Sequence, residues 1–182
     1  MSVPSSTSVS AAVVSAPVRA RPDRPRRAPL YTEEQRHRRN RSKWTLVQGI
    51  LAPLQLLVCL VSAILVVRYL RTGDGLLAAN ASVLVKTAVL YTIMVTGAIW
   101  EKEVFGQYLF APAFFWEDVV SFFVIALHTI YVGGLLAAWP ATTLMWIALA
   151  AYAVYVINAI QFVLKLRAAR LAEADALAEA AA

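Results

Sequence analysis

The chain has 182 residues and a mass of 19.9 kDa; it is 60% apolar against 15% charged, with a formal net charge of +6. Soluble domains are about half apolar, so this composition excludes an ordinary water-soluble globule. One cysteine, Cys59, and two histidines, His37 and His128, exclude a disulfide framework, a cysteine-based zinc or iron-sulfur site and a multi-histidine metal centre.

Residues 1–30 are rich in Ser, Ala, Val, Pro and Arg. They carry too little apolar surface to offset the entropy of ordering and read as a disordered basic extension. The stretch lacks the continuous apolar segment of a secretory signal and resembles a transit peptide only weakly. Ten of the 17 Lys and Arg residues, Arg19 through Lys43, precede the first apolar run, and Lys165, Arg167 and Arg170 follow the last. Positive flanks are retained in the cytoplasm. The expectation is therefore two cytoplasmic termini rather than a nucleic-acid binder, for which no aromatic platform or recognised fold is present.

Crossing a bilayer takes roughly 20 mostly apolar helical residues, and four segments qualify: 46–69, 76–100, 114–139 and 141–164. They predict an all-α integral membrane protein, a four-helix transmembrane bundle within a membrane domain at 31–164. Trp44, Trp100, Trp116 and Trp139 stand at the span boundaries, where indoles prefer the headgroup level. Arg68, Arg71, Gly73, Asp74 and Gly75 form a polar turn after the first span, and Pro140 separates the last two. The two arginines of that outer turn run against the orientation, but ten basic residues outweigh two. Short connections require antiparallel neighbours. From 165 to 182 an Ala-rich, mixed-charge pattern predicts a helical tail continuing the fourth span into water. There is no repeat, Gly-rich phosphate loop or nucleophile elbow.

Polar residues are expensive within a bilayer, so their positions are informative. An inner layer holds Gln48, Glu101, Lys102, Glu103, Glu117, Asp118, Asn158 and Gln161. A deeper layer holds Lys86 and His128, each 14 residues, or about 21 Å of helix, from Trp100 and Phe114 respectively. Glu117, Ser121, Val124 and His128 follow the spacing of one helix face. Plainer readings stand beside these: solvated carboxylates at helix ends, a hydrogen-bonded histidine, an ion-paired lysine, and Asn158 and Gln161 as helix-packing contacts. Between Trp100 and Trp116 the link carries Phe105, Tyr108, Phe110, Phe114 and Phe115. So many rings suit a loop that lies against the membrane or folds over a large, flat, apolar ligand.

The run WTLVQGILAP at 44–53, VKT at 85–87 continued by YTIMVTGAIWEK at 91–102, and above all VFGQYLFAPAFFWED at 104–118 resemble the vinyl bacteriochlorophyllide hydratase family of phototrophic bacteria. ALHT at 126–129 and YVINA at 155–159 continue the likeness, which spans about 30–170; residues 1–29 contribute nothing to it. The resemblance implies a hydro-lyase of the inner (intracytoplasmic) membrane. It would add water to the C3 vinyl group of a chlorin or bacteriochlorin, giving a 1-hydroxyethyl group in bacteriochlorophyll biosynthesis. It also implies no cofactor of the protein's own, because the magnesium is carried by the tetrapyrrole substrate.

Such chemistry needs an acid that keeps its proton, a group that orients water and an aromatic-lined slot. Carboxyl groups in poorly hydrated sites hold protons more tightly. With the resemblance in hand, Glu117 or Asp118 is the expected proton donor to the vinyl carbon, and Glu101 the group that orients or deprotonates water. His128 is expected as a proton relay or an axial ligand to the substrate magnesium. Lys86 would pair with a carboxylate of substrate or protein. Phe105, Tyr108, Phe110, Phe114, Phe115, Trp116 and Asn158 would frame the ring. The competing reading is a non-catalytic pigment-binding or assembly protein with His128 on the pigment magnesium. A channel is disfavoured, since the outer half offers little polarity beyond Asn80, Ser82 and a few threonines. Partners other than lipid and pigment, whether a second copy or neighbouring pigment-biosynthesis enzymes, are left open.

Overall fold

The computed structural model describes residues 30–180; the expected disordered extension lies outside these, apart from Leu30. Helix α1, Glu33–Arg41, starts at a capping box in which Thr32 Oγ1 accepts from Gln35 N at 3.2 Å and Gln35 Oε1 accepts from Thr32 N at 3.0 Å. Glu33 and Glu34 lie in its first turn and Arg38, Arg39 and Arg41 in its last, both matching the helix dipole. Ser42 is extended and caps the next helix by accepting from Trp44 N. The sequence reading did not anticipate α1 as a separate helix.

Four long helices follow: α2, Lys43–Thr72; α3, Leu76–Phe105; α4, Phe115–Leu136; and α5, Ala141–Ala180. Each is long and apolar enough to cross a membrane, so the chain is a multi-pass membrane protein. Gly73 and Gly106, at φ +77° and +87°, end α2 and α3 in the left-handed conformation that glycine adopts at little cost. The third span stops at Leu136, short of the expected 139, because the chain turns there to lay the Trp139 ring on Gly134. A Cβ at Gly134 would stand 2.7 Å from that ring. Helix α5 runs unbroken through the boundary expected at 164.

The helices close a ring in which α2 packs on α3, α3 on α4, α4 on α5 and α5 on α2. Cross-helix hydrogen bonds fix the register. Gln48 Nε2 donates to Thr96 Oγ1 at 2.8 Å, Tyr131 Oη to Asn80 Oδ1 at 2.6 Å and Asn158 Nδ2 to Ser121 Oγ at 2.7 Å. The Ser62 hydroxyl joins Ser82 at 2.8 Å and Tyr152 at 2.6 Å. Inside lie Val66, Val83, Leu90, Val124, Met145 and Ala148. The outward faces carry Leu46, Ile50, Ile64, Leu77 and Val95, all exposed, as expected of surfaces solvated by lipid rather than water.

Candidate active site

Gly106 turns the chain out of α3, and the segment from there to Phe114 folds back over the end of the bundle before α4 begins. Phe110 sits at φ +58°, a strained conformation for a residue with a side chain. The bend directs consecutive backbone N–H groups onto two carboxyls: Phe110 N donates to Asp118 Oδ2 at 2.7 Å and Ala111 N to Glu101 Oε2 at 3.2 Å. Glu101, from the last turns of α3, and Asp118, from the first turn of α4, are 5% and 4% exposed. Their carboxyl groups are close neighbours. The sequence-predicted acids thus converge inward.

Glu117 is buried too, but its partner is different. Lys165 Nζ pairs with Glu117 and also donates to Ala113 O, tying α5 to the loop. Lys165 was read from sequence as tail charge; its place one turn beyond Gln161 on the helix that flanks α4 is the signal that was available. Glu103 accepts from Ser42 Oγ at 2.6 Å, and Lys102 donates to Gly106 O at 2.7 Å, so both serve the helix ends.

The loop's rings separate into two groups. Phe105 and Phe114 turn inward with Tyr31, Trp100 and Phe162, at centroid separations of 5.6–6.5 Å. Phe114 is 2% exposed. Arg39 covers the Tyr31 ring at 4.7 Å, and burial raises the Tyr31 hydroxyl pKa above its ordinary value. Phe110, Phe115 and Trp116 face outward with Phe122, which stacks on Phe110 at 5.4 Å and 10°. Phe122 was not singled out in the sequence, although it lies one turn beyond Asp118 on α4. Tyr108 is exposed and meets Lys102 at 5.4 Å.

Asn158 bonds Ser121, one turn deeper than Asp118. Lys86 and His128 lie deeper still, with no exposed surface. Lys86 Nζ stands 3.8 Å over the Tyr155 ring, and His128 Nδ1 is 2.8 Å from Val124 O. The structure therefore brings Glu101, Asp118, Phe110, Phe115, Trp116 and Phe122 together at the rim. Lys86 and His128 lie apart from them, in the centre of the bundle. A small cavity of about 50 Å³ touches Leu30, Tyr31, Arg36 and Glu173, and an open groove runs along Tyr91, Thr92, Val95 and Thr96. The carboxyl pair lines neither.

Fold and site together define a polytopic membrane protein that keeps a buried carboxyl pair under an aromatic loop. Residues 31–168 match the model of the 2-vinyl bacteriochlorophyllide hydratase (BCHF) family, and the chain belongs to that family. It is 66% identical over 154 residues to the 2-vinyl bacteriochlorophyllide hydratase of Rhodobacter capsulatus, covering 85% of this chain and 90% of the relative. To the protein of that name from Cereibacter sphaeroides it is 70% identical over 142 residues, covering 78% and 89%. No solved structure matches the chain.

Proposed function

We propose that the chain hydrates the C3 vinyl group of a bacteriochlorophyllide or chlorophyllide at the inner membrane, as a hydro-lyase of bacteriochlorophyll biosynthesis. The observation that carries this reading is the Glu101–Asp118 pair, capped by the N–H groups of Phe110 and Ala111, beside outward-facing rings. A membrane-dissolved macrocycle lies on Phe110, Phe115, Phe122 and Trp116, approached from the lipid side. Asp118, which the Phe110 N–H holds beside the platform, enters the reaction protonated and is the proton donor. Proton transfer to the terminal vinyl carbon converts –CH=CH2 into a –CH–CH3 cation delocalised into the macrocycle. Water oxygen bonds to that carbon, its proton passes to Glu101, and a 1-hydroxyethyl group results. The net reaction adds one water and changes no oxidation state of the protein. It draws on no cofactor of the protein's own; the magnesium belongs to the substrate.

Glu117, in its ion pair with Lys165, holds the loop against α5. The basic residues of α1 and those at Lys165, Arg167 and Arg170 support an orientation with both described ends on the cytoplasmic side. Purified protein incubated with vinyl substrate in ¹⁸O-water should yield hydroxyethyl product bearing the label. If Glu101→Gln, Glu117→Gln and Asp118→Asn all give normal product at normal protein abundance, acid catalysis by this group is refuted.

A further inference from the structure

Inside the bundle, buried polar atoms of Gln55, Lys86, His128, Asn158 and Gln161 have no hydrogen-bond partner among the described residues. They come from all four spanning helices. In an apolar surround such atoms cost free energy unless something satisfies them. Gln55 shares the inward face of α2 with Cys59 and Ser62, and Lys86 lies within electrostatic reach of both Cys59 and His128. The Lys86 ammonium stands over Tyr155. One turn along α5 is Asn158, bonded to Ser121, and one turn along α4 from Ser121 is Asp118. Along α3, Lys86 and Glu101 are 15 residues apart, about 22 Å of helix, with Asn158 and Ser121 between them.

The chemistry of these atoms selects their ligand. Val124 O only accepts, so the His128 N–H is at Nδ1, and the neutral imidazole presents a lone pair at Nε2. Gln55, Asn158 and Gln161 add amide oxygens, while Lys86 and the Gln55 amide add donors. An anion would meet several lone pairs, and a metal cation would meet an ammonium. Water both donates and accepts, and buried waters typically make about three hydrogen bonds to such groups.

We propose that Gln55, Lys86, His128 and Asn158 bind a file of waters leading from the bundle centre to Glu101 and Asp118, and that this file delivers the water consumed in the reaction. The inference rests on the hydratase reading and extends it: the substrate comes from the lipid and its co-substrate through the protein. The carboxyls themselves are covered from bulk water, Glu101 and Asp118 at 5% and 4% exposure with Ala111 and Phe114 at 0% and 2%.

Radiolytic hydroxyl-radical footprinting of the full-length protein in lipid nanodiscs tests this, because radicals formed from bound water oxidise adjacent buried side chains. Cys59 and Tyr155, 3% and 9% exposed, should oxidise about tenfold faster, corrected for intrinsic reactivity and for exposure, than Met145, 0% exposed and ten residues from Tyr155 on α5. Gln55→Leu combined with Lys86→Met should lower both that labelling and kcat about tenfold, leaving KM for the vinyl chlorin within about twofold. Oxidation of Cys59 and Tyr155 no faster than Met145 in the unaltered protein overturns the proposal, whether or not the double variant folds. A folded double variant with unaltered kcat also overturns it. Labelled waters in a protein that does not turn over would leave the water file standing and remove the hydratase reading instead.

Discussion

Two sets of aromatic rings leave the same short loop and meet different fates. Phe105 and Phe114 bury themselves against Tyr31, Trp100 and Phe162, joining the residues before α1 to α3 and α5 in one rim. Phe110, Phe115 and Trp116 stay exposed beside Phe122. The inward set is satisfied by protein; the outward set is one a flat apolar ligand can complete. Composition makes these rings equivalent; the faces of α3 and α4 and the left-handed bend at Phe110 separate them. That bend also points the two N–H groups at the carboxyls, so it serves both the ring platform and the acid pair.

The contrast can be broken at several points. The largest effect is expected at the carboxyls: Glu101→Gln and Asp118→Asn should each lower kcat about 10²–10⁴-fold, with helical circular dichroism unchanged. Phe114→Ala should act on folding, costing about 3–5 kcal/mol in detergent unfolding, because its ring is enclosed on all sides by the inward cluster. Phe115→Ala and Phe122→Ala should do the reverse, raising KM for the vinyl chlorin about tenfold without shifting the unfolding midpoint. If Phe122→Ala unfolds the protein while Phe114→Ala leaves stability intact and raises KM, the two sets have been assigned the wrong way round. The smallest effect belongs to Tyr108→Ala. Its ring stacks with neither set among the described residues, and KM should change by less than about twofold.

Much of the fold was legible because the rules that produce it are one-dimensional. Apolar length locates spans, and the helical period correctly put Glu117, Ser121, Val124 and His128 on one inward face. The motif at 104–118 carried the family resemblance, which the family match over 31–168 upholds. Less legible were residues whose role depends on a neighbouring helix. Gln55 drew no attention, although a glutamine one face-repeat beyond Gln48 in a span was a signal. Lys165 gave no hint of its bond to Glu117, 48 residues away in sequence.

The sequence by itself determined that this is a membrane-spanning helical protein, because lipid forces every backbone group into regular helix and so makes each span's apolar length decisive. It also determined which residue types were on hand for acid chemistry. Only the tertiary structure decided which two carboxyls meet, which rings face lipid and which polar atoms lack partners. Those outcomes depend on helix register and on one backbone turn, and distances of a few ångströms between helices are not encoded in the order of residues along either one.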